Sequence, residues 1–123
     1  MECSKVDIRP VIKHITDIEN KRPEEKFQNE TLRPILKMQH ALLRAVFNEN
    51  AAKNKVDVGA LNSEKRVELV TRTFKQDHMF KTEVRGLIIG HFTMEEYVTY
   101  AGMKTEINRR ILTMSAERVL SGL

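Results

Sequence analysis

The feature of this sequence that most constrains its fold is the stretch from Leu32 to Lys53, where apolar side chains recur three and four residues apart. This spacing places them on one side of an α-helix, and most charged residues of the stretch fall on the other side. At about 1.5 Å per residue the helix would be roughly 30 Å long, and we expect it to form the spine of the fold. The predicted stripe comprises Ile35, Leu36, Gln39, Leu42, Leu43, Val46 and Phe47.

Pro34 lies near the start of this predicted helix. In a helix interior, proline removes a hydrogen bond and clashes with the preceding turn. Two alternatives follow: a kink after a helical segment that begins at Pro23, or a new helix with Thr31 as its N-cap. Further upstream, residues 1–22 predict either a short helix over 10–19 or an extended arm.

Capping residues and apolar spacing predict further helices downstream. Asn62 or Ser63 can cap one of them, Asp77 can cap the next, and Thr93 with Glu96 forms a capping box. The predicted helices cover residues 64–75, 78–91, 94–101 and 105–120. Only three prolines and five glycines interrupt the 123 residues, which argues against a many-turned β-sandwich. We therefore predict one all-α domain over residues 1–123, a compact bundle of five to six helices with short connections.

The charge of the chain is modest and evenly distributed. Lys and Arg number 21 and Asp and Glu number 17, so the formal net charge is +4, and it is shared equally between the two halves. No basic block points to nucleic acid. A single cysteine, Cys3, excludes a disulfide within one chain. Because no long apolar run is present, we expect no membrane span and a cytoplasmic location.

The histidines do not follow the spacing of known metal motifs. None of the four is preceded by Glu three positions earlier, as di-iron bundles require, and no His-x-x-x-His is present. No Gly-x-Ser-x-Gly nucleophile motif occurs either. We therefore predict no metal site and no cofactor, and the motifs do not support an enzyme.

Two polar residues, Gln39 and His40, fall within the predicted apolar spine. A buried amide must find hydrogen-bond partners or cost about 1–3 kcal/mol. One interpretation is that both residues are satisfied core or interface groups. The other is a small-ligand pocket lined by Gln39 or His40 together with His91, and this pocket would also be the site of any enzyme activity.

Gly86 and Gly90 lie on one face of the predicted helix over 78–91, where each costs about 1 kcal/mol relative to alanine. Close approach by another helix would explain them, either within the chain or across a homodimer. The spine at Leu42 and Val46 is a second candidate interface, because a helix of about 30 Å is long for so small a domain. We therefore expect a homodimer.

Residues 93–112 have the order of a DNA-binding helix-turn-helix. A capped helix is followed by Gly102 and by a second helix that carries Arg109 and Arg110. However, both arginines lie in the middle of that helix, whereas its first turn usually contacts the bases. A DNA-binding module is therefore the alternative hypothesis rather than the first.

Several stretches of the chain resemble a small family from Bacteroidetes bacteria. The resemblance is carried by residues 27–35 with Gln39-His40, by residues 85–97, and by residues 108–114. Members of that family have no assigned function, and some carry the label glyoxalase. The resemblance implies a bacterial helical protein and transfers no catalytic residues. Our first hypothesis is a small helical module that binds a protein partner or a small ligand.

Overall fold

A computed structural model describes Arg9 and residues 22–123 of the chain. The predicted helix or arm over 10–19 lies outside the described residues. The described part is all-α, as the sequence predicted, and none of it forms a β-strand. Its helices are α1 (Pro23–Phe27), a π turn (Gln28–Leu32), α2 (Arg33–Met38), α3 (His40–Lys53), a 3-10 turn (Val58–Ala60), α4 (Ser63–Gln76), α5 (His78–Ile89), α6 (Met94–Ala101) and α7 (Lys104–Ser121).

Side-chain caps fix the starts of three helices, as predicted. The Asn62 side chain accepts from the backbone N–H of Lys65 at 2.8 Å, which begins α4. Asp77 accepts from the N–H of Phe80 at 3.1 Å, which begins α5. At the start of α6, Thr93 takes part in the predicted capping box. These bonds satisfy N–H groups that the first turn of a helix leaves without partners.

The spine of the bundle is α7, so the predicted spine over residues 32–53 is wrong. Helix α7 is 18 residues long and packs against α3, α4 and α5. It buries Ile107, Ile111, Ser115 and Val119 on its inner side. The chain over residues 32–53 instead turns at Gln39, whose φ of −96° and ψ of 11° depart from helical values. The predicted helix is thus divided into α2 and α3, although the N–H of Gln39 still donates to the carbonyl of Ile35 and the N–H of Leu43 to that of Gln39, both at 2.9 Å.

A π turn carries the helical path past Pro34. The N–H of Arg33 donates to the carbonyl of Gln28, five residues earlier. Because Pro34 has no N–H, the regular ladder cannot continue across this point, and the wider turn accommodates the break. The helix start at Pro23 is as predicted, but Thr31 is not an N-cap. It is buried within the helical path, and its hydroxyl donates to Glu96 Oε2 at 3.3 Å.

The core contains two aromatic groups. Phe74 and Phe80 pack edge to face at 4.9 Å between ring centroids, and both contact Phe47. The other group joins Phe92 to Phe27 and Tyr100, with centroid distances of 5.3 and 5.5 Å. Within the predicted stripe Ile35, Leu36, Leu43 and Phe47 are buried, but Leu42 is 45% exposed. Among the described residues, no helix combines the length and apolar character needed to cross a bilayer.

Candidate functional site

The corner between α5 and α6 is built around the carboxylate of Glu96. Both terminal guanidinium nitrogens of Arg9 donate to it at 2.7 Å, one to each oxygen. Arg9 also donates to the backbone carbonyl of His91. The two side chains are only 5% and 18% exposed, so this is a mostly buried ion pair with fork geometry.

Glu96 has further partners on its own helix and on the π turn. The backbone N–H of Thr93 donates to Glu96 Oε1 at 2.9 Å, and the N–H of Glu96 donates to the Thr93 hydroxyl at 3.1 Å. Burial raises the pKa of Glu96, but hydrogen bonds from Arg9, Thr93 and Thr31 and the charge of Arg9 outweigh it. The pKa therefore lies below its ordinary value, and this carboxylate is a fully engaged structural group rather than a free acid or base.

The predicted pocket residues Gln39 and His91 do meet. Gln39 lies at the turn between α2 and α3, His91 follows α5, and their Nε2 atoms are 2.7 Å apart. An amide nitrogen can only donate, so Gln39 is the donor of this bond and His91 Nε2 is the acceptor. The pair therefore joins two turns of the fold through a polar bond, as expected for a satisfied amide.

The third predicted pocket residue, His40, does not share this bond. Its Nδ1 is buried and makes no hydrogen bond to any described residue. Four cavities of about 340 to 880 Å³ on the described part of the chain are lined by residues other than Gln39, His40 and His91. No group of three or more His, Cys, Asp or Glu in the described residues could hold a metal ion. A pocket at these residues stays a prediction.

Gly86 and Gly90 are both exposed, one turn apart at the end of α5. A Cβ at Gly86 would meet nothing within 4 Å, and one at Gly90 would approach only carbonyls of its own helix, the nearest at 3.1 Å. Because no described residue of a second helix lies within 4 Å of a Cβ built at either glycine, a helix contact inside the chain stays a prediction. A contact across a homodimer stays a prediction.

Arg109 and Arg110 lie in the second turn of α7 and have different partners. Arg109 donates to both carboxylate oxygens of Glu106, with N···O distances of 2.7 to 3.2 Å, and these bonds hold the pKa of Glu106 below its ordinary value. Arg110 donates to Gln28 Oε1 at 2.7 Å and lies 3.7 Å from Glu106. Neither arginine is in the first turn, where a helix-turn-helix contacts bases. The DNA interface stays an untested alternative.

The outer side of α6 carries a set of apolar side chains that the sequence analysis did not single out. Met94 is 79% exposed, Val98 is 68% exposed and Tyr97 is 41% exposed. With the exposed Ala101 they occupy positions i, i+3, i+4 and i+7, which form one stripe along a helix. We call this stripe the α6 outer face. The spacing is visible in the sequence, but periodicity alone would assign such a stripe to the core.

Comparison with known proteins gives no relatives, because no protein family, curated protein or solved structure matches the chain.

Proposed function

We propose that this protein is a protein-interaction module that docks a second copy of itself through the α6 outer face. The supporting observation is the exposure of Met94, Tyr97 and Val98 on one side of a helix whose other side is fully engaged. Single exposed apolar residues are common on protein surfaces, but a contiguous apolar stripe is typical of an interaction site. The proposal thus takes the α6 outer face as the interface, in place of the face at Gly86 and Gly90.

The pattern along α6 is complementary to itself. In an antiparallel pair of α6 helices related by a two-fold axis, Met94 lies opposite Ala101 of the second copy, so a long side chain meets a short one. Tyr97 and Val98 then meet near the axis. A two-fold interface uses the same patch on both subunits, and large-to-small pairing allows two helices to pack closely.

The charges beside the stripe also suit a second copy. Glu96 is neutralised by Arg9, so it does not set two like charges against each other across the axis. The stripe itself carries no ionic group that would select a charged partner. The exposed Glu95 lies beside the stripe and fits the solvent-exposed rim of an interface.

The contact is small, which sets the expected affinity. Helix α6 has eight residues and is therefore about 12 Å long. Stable interfaces bury about 1,200–2,000 Å² in total, and one helix of this length contributes less. We therefore expect a weak dimer in exchange with monomer, with a dissociation constant on the order of micromolar.

Sedimentation velocity over a series of protein concentrations tests the proposal. The wild type is expected to shift from monomer toward dimer as its concentration rises. Val98→Lys is expected to stay monomeric, because the dimer would bury an unpaired ammonium group. Val67→Lys is the matched control, since Val67 is 48% exposed and lies on a different helix, α4. Its sedimentation is expected to match that of the wild type.

Two outcomes contradict the proposal. A wild type that stays monomeric at all concentrations excludes self-association. A dimer that survives Val98→Lys but is lost in Leu42→Lys places the interface on α3, where Leu42 is 45% exposed, and not on α6.

A further inference from the structure

A second surface of the molecule concentrates positive charge in a groove. The groove has a volume of about 880 Å³ and lies between the π turn with α2 on one wall and α7 on the other. Arg33 and Lys37 line the first wall, and Arg109, Arg110 and Arg118 line the second. One carboxylate, Glu117, also lines it. We call this surface the basic groove.

Three of these cations have no charged partner among the described residues. The side chains of Arg33, Lys37 and Arg118 make no ion pair and no hydrogen bond within the described part of the chain. This contrasts with the fork of Arg9 on Glu96. Cations that converge without counter-charge repel one another, and an anion between them removes that repulsion.

Two guanidinium groups also keep a buried Nε that makes no hydrogen bond to a described residue, on Arg33 and on Arg110. The Nε of Arg110 lies 3.7 Å from Glu106 Oε2, in ion-pair range, and no ion pair is formed by Arg33 within the described residues. Arg110 is held in place on its other side, because it donates to Gln28 Oε1 at 2.7 Å. Arginine presents its donors as a planar fork, which matches the oxygens of a phosphate group.

The remaining lining residues indicate the size and chemistry of the ligand. Thr113 and Ser121 add hydroxyl groups, and Met114 is the apolar residue of the groove. None of the described lining residues is aromatic, so they offer no stacking surface for the bases of a single-stranded nucleic acid. A concave site of this size suits a small molecule rather than a duplex.

We propose that the basic groove binds a small phosphate-bearing molecule, with Arg33, Lys37 and Arg118 as its charged contacts. The proposal does not depend on self-association through α6, because the groove is formed by the π turn, α2 and α7 alone.

Isothermal titration of the full chain with inorganic pyrophosphate tests this proposal. The wild type is expected to bind, and a variant with Arg33→Gln, Lys37→Gln and Arg118→Gln is expected to bind at least about tenfold more weakly, because it loses charged hydrogen-bond donors. The matched control removes three exposed cations outside the groove: Lys53→Gln, Lys75→Gln and Lys104→Gln. This control has the same net charge as the groove variant, and its affinity is expected to remain within about twofold to threefold of the wild type.

Two further variants separate binding from folding. Lys37→Gln changes one exposed side chain and is expected to weaken binding without altering the thermal unfolding midpoint. Glu117→Gln removes the lining carboxylate and is expected to strengthen pyrophosphate binding, a gain that misfolding would not produce.

Three results would overturn the proposal, each for a different reason. Absence of pyrophosphate binding by the wild type excludes the site. Equal weakening in the groove variant and the control variant means that only net charge matters. If a DNA duplex binds more tightly than pyrophosphate and depends on the same three cations, the groove is a nucleic-acid surface and the small-molecule ligand is wrong.

Discussion

The two sides of α6 differ in how far their side chains are hydrogen-bonded to, or buried against, the rest of the described chain. On the inner side, Glu96 bonds to Arg9, Thr31 and Thr93, and the Tyr100 hydroxyl donates to Asn108 Oδ1 at 2.6 Å. On the outer side, the α6 outer face meets no part of the described chain closely enough to be buried. The same eight residues thus combine a completed polar structure with an apolar surface that the described part of the chain does not cover.

This difference separates residues that hold the fold from residues that are free to bind. Substitutions on the inner side should change the free energy of unfolding and leave the surface intact. Substitutions on the outer side should change self-association and leave the free energy of unfolding nearly unchanged. Each of the next three experiments pairs one inner residue with one outer or exposed control.

Loss of the Glu96 carboxylate should have the largest effect. Glu96→Ala leaves the guanidinium of Arg9 buried without its counter-charge and removes half of the capping box. We expect a loss of about 3 kcal/mol in the free energy of unfolding, measured by urea denaturation. Glu95→Ala, on the exposed side, should cost only a few tenths of a kcal/mol through the helix dipole. Equal losses in the two variants would contradict a structural role for this ion pair.

Loss of the Thr93 cap should have the next largest effect. Thr93→Ala removes the acceptor for the N–H of Glu96 and should cost about 1 kcal/mol in urea denaturation. Thr99→Ala is the control, because the exposed Thr99 hydroxyl only donates to a carbonyl of its own helix, at 3.3 Å. That change should be neutral or slightly stabilising, since alanine favours the helix. A control that destabilises as much as the cap variant would show that the cap contributes nothing specific.

The two tyrosines of α6 offer a comparison with one atom removed in each. Tyr100→Phe removes a 2.6 Å hydrogen bond to Asn108 and should cost about 1 kcal/mol in thermal or urea unfolding. Tyr97→Phe removes a hydroxyl on the outer face and should leave stability within about 0.5 kcal/mol of the wild type. If the two variants lose the same stability, the inner and outer sides of α6 are not energetically distinct.

The smallest effect should be the difference between the wild type and Glu96→Ala in how the free energy of unfolding falls at acid pH. Because the pKa of Glu96 is lowered in the folded state, its contribution is complete above the ordinary value of 4.5. It is lost as the pH falls through the lowered pKa, because the unfolded chain then binds a proton more readily than the folded chain does. The wild type should therefore lose more stability between neutral and acid pH than Glu96→Ala. Parallel pH profiles for the two proteins would contradict this assignment.

Local features of the fold were predictable from the sequence, and long-range ones were not. The caps at Asn62, Asp77 and Thr93 depend on groups three residues apart, so the sequence shows both partners. The break at Gln39 has no such local signal, because no proline or glycine lies there and the apolar spacing continues across it. The predicted spine is therefore divided into α2 and α3 at a point that the sequence pattern does not mark.

The candidate sites also depend on long-range contacts, which the sequence shows less clearly than local ones. Gln39 and His91 were predicted to line one pocket, and their side chains do meet. They are 52 residues apart in the sequence. They could be grouped only because few polar residues fall in apolar stripes. The basic groove joins Arg33 to Arg118 across two helices, and the even distribution of charge along the sequence conceals this cluster. Exposure of the α6 outer face is likewise a tertiary property, since Tyr100 and Glu96 turn the other side of the helix inward.

Chemical cross-linking through α6 tests the central claim most directly, because it reports which surface meets its own copy. Val98→Cys and Val67→Cys, each made with Cys3→Ser, place one thiol on the α6 outer face or on α4. With a short bifunctional maleimide, Val98→Cys should give a covalent dimer, in a yield that rises with protein concentration, while Val67→Cys should stay monomeric. Equal cross-linking of the two variants, or none at Val98→Cys, would contradict self-association through α6.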